Sequence, residues 1–225
     1  MWYTYAMYEI ELKAHVAERS AVEAALNSFA TYCASYEKRD TYYSIPQCPF
    51  NDDTHGAQAC AKTPYAEARR QDAVYCRIRK MTRKTSSTSE RETSITFTYK
   101  RKELRTSESG IVIEVNDEKE CTLSDEAALV SFLHDAGGNV AYTKEKIGAL
   151  WNARTDAGDA HIELCTVPPL GDFLEVELVC KTDGSETVAA AQHAIMQIFK
   201  TCGIPESALE KRYYSDMLNE RKAEK

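Results

Sequence analysis

The sequence predicts one α+β domain, an antiparallel sheet curled into a β-tunnel with a charged interior and flanking helices. Three observations point there. Many short segments alternate charged with apolar residues at the period of two that a strand imposes. Their polar positions are almost all ionisable, and they come as same-sign pairs at i and i+2. Between them lie stretches with apolar residues at helical spacing, and neither a repeat nor a linker divides the 225 residues.

Residues 7–14 alternate in this way and read as a first strand. Val16, Val22, Leu26, Phe29 and Tyr32 recur at helical spacing, which predicts a long amphipathic helix over 16–38. Asp40–Ile45 reads as a short strand. Residues 46–73, with three prolines and Gly56, read as a surface loop. Strands follow at 73–81, 93–103 and 110–116, the first two joined by the Ser/Thr-rich turn 85–89. Ser124, with Asp125 and Glu126 behind it, opens a helix that ends near Gly137-Gly138. Strands at 139–151, 159–167 and 172–181 come next, then a helix over 188–201 ending at Gly203. A last helix starts behind Pro205 and frays into the charged tail 219–225.

In the first strand Glu9, Glu11 and Lys13 share one face and Tyr8, Ile10 and Leu12 the other. Arg77 and Arg79 likewise oppose Cys76 and Ile78, and Lys100 and Lys102 oppose Phe97 and Tyr99 one register over. Glu114 opposes Ile113 and Val115, while Lys144 and Lys146 oppose Ile147. Glu163 opposes Ile162 and Leu164, and Glu175 and Glu177 oppose Leu174, Val176 and Leu178. A sheet with one wet face also alternates. Repeated like-charge pairs on one face repel, however, and call for opposite charges or a ligand to compensate them. Curling the sheet brings seven cations (Lys13, Arg77, Arg79, Lys100, Lys102, Lys144, Lys146) and six acids (Glu9, Glu11, Glu114, Glu163, Glu175, Glu177) into one tunnel. Arginine and lysine suit phosphate oxygens. Carboxylates in a phosphate site suit Mg²⁺ or Mn²⁺ bridging them to the polyphosphate.

A formal net charge of −7 makes duplex nucleic acid and anionic membranes poor partners. No apolar run approaches the ~20 residues that cross a bilayer, and residues 1–7 do not resemble an export signal. Met7 is an alternative start that would make Met1–Ala6 an extension. The eight cysteines show no paired zinc-ligand spacing and read as reduced thiols of a cytoplasmic protein, although Cys48 and Cys60 are close enough in sequence to pair on oxidation.

The ordered motifs resemble those of the CYTH superfamily of class IV adenylyl cyclases and triphosphatases. Glu9-Ile10-Glu11-Leu12-Lys13 is similar to its Glu-x-Glu-x-Lys signature, Asp40-Thr41-Tyr42-Tyr43 to its Asp-x-Tyr-Tyr strand, and Arg77-Ile78-Arg79 to its Arg-x-Arg strand. Thr98-Tyr99-Lys100, Lys144-Glu145-Lys146 and Leu170-Gly171-Asp172-Phe173-Leu174-Glu175-Val176-Glu177 follow in order. Tyr213-Tyr214-Ser215-Asp216-Met217-Leu218 resembles the tail of the cyclase branch. The resemblance runs from residue 8 to 218. It implies about eight antiparallel strands, a divalent metal and a triphosphate substrate such as ATP, tripolyphosphate or thiamine triphosphate, and it is compatible with a homodimer. The chain departs from the pattern at Val112-Ile113-Glu114-Val115-Asn116 and at Cys165, where Glu163 is the nearest acid on the same face.

These residues predict Mg²⁺ or Mn²⁺ held by Glu9, Glu11, Glu175 and Glu177, with Glu163 as a further acid, and Glu9, Glu11 and Lys13 at the reacting centre. Lys13, Arg77, Arg79, Lys100, Lys102, Lys144 and Lys146 would grip the phosphates. Attack by the ribose 3′-oxygen on the α-phosphorus makes a cyclase, and attack by water on the γ-phosphorus makes a triphosphatase. A binding module that holds polyphosphate without turnover is the third alternative. His15, His134 and His193 read as structural or exposed, Trp151 as packing, and Ile195, Met196 and Phe199 as core.

Overall fold

The computed structural model describes residues 8–45, 74–85, 90–106, 112–180, 182 and 184–223, with the side chains of 8, 74, 75 and 100–118 outside that description. The predicted 46–73 loop, the 1–6 extension, and Cys48 and Cys60 lie outside the described residues.

The strands are β1 (Tyr8–Val16), β2 (Thr31–Ile45), β3 (Val74–Thr85), β4 (Arg91–Thr106), β5 (Val112–Leu123), β6 (Asn139–Thr155), β7 (Gly158–Val167), β8 (Gly171–Cys180) and β9 (Leu209–Glu210). The helices are α1 (Arg19–Phe29), α2 (Ala127–Asp135), α3 (Ser185–Thr201) and α4 (Tyr214–Ala223). Among the described residues the strands form one nine-stranded sheet, ordered β5-β4-β3-β2-β6-β7-β8-β1-β9, with every printed pairing antiparallel. Twist curls it until Cα atoms of β1 and β5 lie within 8 Å, although no ladder joins those two strands and the sheet is not closed.

The convex face is dry. Ile10, Ala14, Ile162, Leu164, Leu174, Val176 and Leu178 pack there against Val22 and Leu26 of α1 and Val188, Ile195 and Phe199 of α3. Each such side chain contributes about 1.5–3 kcal/mol when fully buried. Trp151 belongs to this core and donates its indole N–H to Asn27 at 2.9 Å. A second convex cluster seats Leu133 of α2 on Tyr43, Cys76 and Ile78. This face leaves the other side of every strand, where the ionisable residues stand, to line the concave interior.

Strands β3, β4, β5 and β6 run on past their expected ends, and three elements differ in kind from the sequence expectation. Helix α1 stops at Phe29, where Ala30 is already extended (φ −112°, ψ 155°), and residues 31–45 form one long strand. Thr31, Tyr32, Tyr36, Thr41, Tyr42 and Tyr43 are β-branched or aromatic and pack well on a pleated surface, and that strand pairs on both edges. Helix α2 begins at Ala127 behind Glu126, which makes no side-chain cap, and it is Asp125 Oδ1 rather than Ser124 that accepts the Ala127 N–H, at 2.6 Å. Pro205 opens a short 3₁₀ turn over Glu206–Ala208, followed by β9 on the edge of β1, and only then α4. The count is therefore nine strands, the extra one being this two-residue β9.

Candidate functional site

Ladder register decides which side chains meet. Across β3, β2 and β6 one row holds Arg77, Tyr42 and Tyr142, the next Arg79, Asp40 and Lys144, and the next Met81, Lys38 and Lys146. Residues directly opposite share a face, so these rows form one continuous concave surface. Across β1, β8 and β7 the matching rows are Glu11, Glu177 and His161, then Lys13, Glu175 and Glu163.

The first network centres on Asp40, which is 1% exposed. Arg79 donates two hydrogen bonds to its two oxygens, at 2.7 and 2.8 Å, and Lys144 Nζ lies 3.6 Å away. Burial alone would raise the Asp40 pKa, but the Arg79 hydrogen bonds and the charges of Arg79, Lys144 and Arg77 hold it well below the usual carboxylate range. Arg77 donates to Thr98 at 2.9 Å, and its Nε is buried without a hydrogen-bond partner among the described residues. Glu120, half-exposed, lies 3.7 Å from Arg77, so two arginines and a lysine meet two carboxylates and the excess is one positive charge.

The second network is balanced. Glu163 accepts from the Tyr36 hydroxyl and from Lys38 Nζ at 2.9 Å, and Lys146 Nζ is 3.3 Å from its other oxygen. Lys146 also donates to Glu175 at 2.5 Å, and the Tyr214 hydroxyl donates to the second oxygen of Glu175. Lys146 is fully enclosed, yet Glu175 and Glu163 outweigh its desolvation and raise its pKa. Desolvation raises the Glu163 pKa, but Lys146 and Lys38 overcome it and bring the carboxyl down to about 2. Two ammoniums face two carboxylates, each carboxylate also taking a phenol.

The third group is acidic. Glu11 stands opposite Glu177 on the concave face. Burial among the tunnel walls, with Glu175 and Glu177 nearby, pushes its carboxyl up to about 7 even though water reaches the side chain. The surroundings are those of a narrow wet channel rather than a sealed core. Lys13 donates to the backbone oxygen of Arg212 and lies 5.3 Å from the Tyr214 ring centroid, and burial lowers its pKa. Among the described residues no three His, Cys, Asp or Glu side chains are grouped closely enough to hold a metal. The donor chemistry nevertheless fits a hard divalent ion, because crowded carboxylates that resist ionisation are what such an ion neutralises.

The structure therefore brings together Lys13, Arg77, Arg79, Lys144, Lys146, Glu11, Glu163, Glu175 and Glu177 on one concave surface, with Glu9 at the outer end of its row. Lys100 and Lys102 occupy ladder positions opposite Glu118 and Asn116, and Glu114 one opposite Leu104; their side chains lie outside the described residues. Sequence reasoning missed Tyr36, Lys38 and Arg83, and it gave Tyr214 no place in the site. The alternation of Ala34, Tyr36, Lys38, Asp40 and Tyr42 was a usable signal for the first two, hidden by reading residues 31–38 as helix. For Tyr214 the tail motif over 213–218 was the one pointer, and it did not place the residue in the site, which it reaches from 39 residues beyond Glu175.

A curled antiparallel sheet with arginine, lysine and glutamate converging on its concave side defines an open, charge-lined β-tunnel fold. The chain belongs to the CYTH family, whose domain matches residues 7–214. Solved structures share the fold at low identity. The PH1819 protein of Pyrococcus horikoshii is 16% identical with a TM-score of 0.61, over 95% of this chain and 99% of that one. An adenylate cyclase candidate from Vibrio parahaemolyticus is 16% identical with a TM-score of 0.59, over 94% and 98%. HpAC1 of Hippeastrum, an adenylyl cyclase candidate described as having a dominant triphosphatase activity, is 14% identical with a TM-score of 0.51, over 96% and 95%. No curated protein matches the sequence.

Proposed function

We propose that this protein is a metal-dependent enzyme acting on a triphosphate, with conversion of ATP to cyclic AMP and pyrophosphate as the first reading. The observation that carries it is the positively unbalanced Asp40 network, where Arg77 presents a buried, unpartnered Nε beside Arg79 and Lys144. Such a cluster, largely shielded from water, is suited to an anion with several oxygens.

Arg77, Arg79, Lys144 and Lys13 bind the phosphate oxygens and stabilise charge as the phosphorus–oxygen bond breaks, with Lys100 and Lys102 assigned to the same role. Mg²⁺ or Mn²⁺, held by Glu9, Glu11 and Glu177 with Glu175 beside them, would neutralise phosphate charge and polarise the reacting phosphoryl group. Glu163 and Glu175 keep Lys146 in place in the arrangement described above. In the cyclase reaction the ribose 3′-oxygen attacks the α-phosphorus and pyrophosphate leaves. The second reading is hydrolysis, water attacking the γ-phosphorus with orthophosphate leaving. The activity described for HpAC1, which shares this fold, favours keeping it.

Incubation with ATP or tripolyphosphate and Mg²⁺ or Mn²⁺, followed by chromatography of the products, separates these readings. Cyclic AMP with pyrophosphate supports the first, and orthophosphate without cyclic AMP supports the second. Glu11→Ala is expected to abolish either reaction. Turnover equal to that of the Glu11→Ala control, with triphosphate still bound, would leave a binding module.

A further inference from the structure

On the concave face, four residues along β3 from Arg79, Arg83 stands opposite Tyr36, and Lys38 stands opposite Lys146. Four residues of strand span about 13–14 Å, so Arg83 lies well beyond the Asp40 network. Arg83 makes no hydrogen bond or ion pair among the described residues, and its Nε is buried. The Lys38 side chain is only 10% exposed, and its ammonium has one protein acceptor, Glu163, with the Tyr36 ring centroid 4.1 Å away. An ammonium carries three donors, so two of them have no protein acceptor. Lys38 and Lys146 are like charges directly opposite one another, an arrangement that Glu163 makes tolerable by accepting from both. Lys38, Lys146, Glu163 and Glu175 sum to zero charge, and Arg83 makes this end of the tunnel positive.

We propose that Lys38 and Arg83 form a second anion subsite that takes the far phosphoryl group of a linear triphosphate, with Glu163 as the positioning residue that holds Lys38 beside Lys146. The inference rests on the triphosphate reading above and deepens it. The Asp40 network grips one stretch of the polyphosphate, and the Lys38–Arg83 pair lengthens the cationic track so that three phosphoryl groups are held better than two. Arg83→Met keeps the partly buried stem of the side chain and removes a guanidinium on which no protein acceptor among the described residues depends. Burial lowers the Lys38 pKa, and the charges that face it are Glu163 on β7, Arg79 on β3 and Lys146 on β6.

Calorimetric titration of inorganic tripolyphosphate and of pyrophosphate, each in EDTA and in Mn²⁺, tests this on the whole chain. Lys38→Met and Arg83→Met are each expected to weaken tripolyphosphate binding by about 10- to 100-fold, the scale of one charged hydrogen bond. Pyrophosphate binding should change by less than about 3-fold, whereas Lys144→Met should weaken both ligands. Glu163→Gln takes away the anion that Lys38 and Lys146 share, so it should weaken tripolyphosphate more than pyrophosphate, and Glu163→Asp should restore part of that selectivity. A merely structural Glu163 would shift both ligands alike. Unchanged tripolyphosphate affinity in a folded Arg83→Met protein overturns the subsite, as does an equal loss for pyrophosphate. If the wild type binds neither anion under either condition, the triphosphate reading itself falls, and the subsite with it.

Discussion

The two ion-pair networks of the tunnel use the same residue types and reach opposite balances. Around Asp40, Arg79 and Lys144 share one carboxylate, Lys144 approaching it only to 3.6 Å, while the neighbouring Arg77 lies 3.7 Å from the half-exposed Glu120, which leaves three cations to two acids. Around Lys146, two carboxylates and two phenols meet two ammoniums, with contacts of 2.5 to 3.3 Å among the charged groups. An underbonded cation cluster has donors to spend on a ligand. A balanced, buried one holds strands together, because removing a single member strands the rest without compensation. On the reading proposed above, lysines two residues apart on one strand carry different duties, Lys144 toward the ligand and Lys146 toward the fold.

Substitution should separate those duties. Lys146→Ala leaves Glu163 and Glu175 facing each other in a dry site, and a loss of about 3–5 kcal/mol is expected in chemical denaturation. Lys144→Ala leaves Asp40 with both Arg79 hydrogen bonds, so stability should fall by less than about 1 kcal/mol while triphosphate affinity drops about 10- to 100-fold. Equal stability losses in the two variants would erase the comparison. Next in size is Gly148→Ala. An added Cβ would lie 2.4 Å from the backbone oxygen of Leu164 and 2.9 Å from the Cys165 Cβ, opposite Tyr36, and overpacking of this kind costs about 1–3 kcal/mol.

Acid sharpens the contrast between anchoring and crowded carboxylates. Glu163 ionises more readily in the folded protein, with a pKa near 2 against an ordinary 4.5, so its contribution is complete above pH 4.5 and is lost as pH falls toward 2. Glu11 has the opposite sign. Its pKa is raised from 4.5 to about 7, so the folded state loses stability as pH rises through that window. Glu11→Gln should therefore raise the melting temperature at pH 8 relative to wild type and change it little at pH 4. A lower melting temperature at pH 8 would contradict the crowding of Glu11. The smallest effect belongs to the rim, where His15 contacts Glu210 at 3.1 Å with its ring 45% exposed. His15→Ala should move stability within about 0.5 kcal/mol in the same denaturation experiment.

Much of this arrangement was legible in the sequence, and the rest had identifiable reasons for being hidden. Alternation alone assigned Glu11, Lys13, Arg77, Arg79, Lys144, Lys146, Glu163, Glu175 and Glu177 to one face, because side-chain direction in a strand follows from the backbone. The long strand β2 was misread over residues 31–38 because Val22, Leu26, Phe29 and Tyr32 keep helical spacing across the point where α1 stops. Nothing local ends that pattern. The strand is enforced by pairing with β3 on one edge and with β6, residues 139–152, on the other. With β2 went the recognition of Tyr36 and Lys38. Arg83 was passed over because it lies beyond the Arg-x-Arg pair in a strand that runs four residues longer than its alternation suggested.

The sequence by itself determined which residues are inward and which are core, since a period of two and the sign of each charge are local properties of the chain. It also carried the family membership, through motifs kept in order over most of its length. Only the tertiary structure decided who pairs with whom. Glu163 meets Lys38 across 125 residues and Tyr214 meets Glu175 from the far side of α3, so register and curvature, which no local pattern encodes, divide one set of charges into a cation-rich cluster around Asp40 and a charge-balanced one around Lys146.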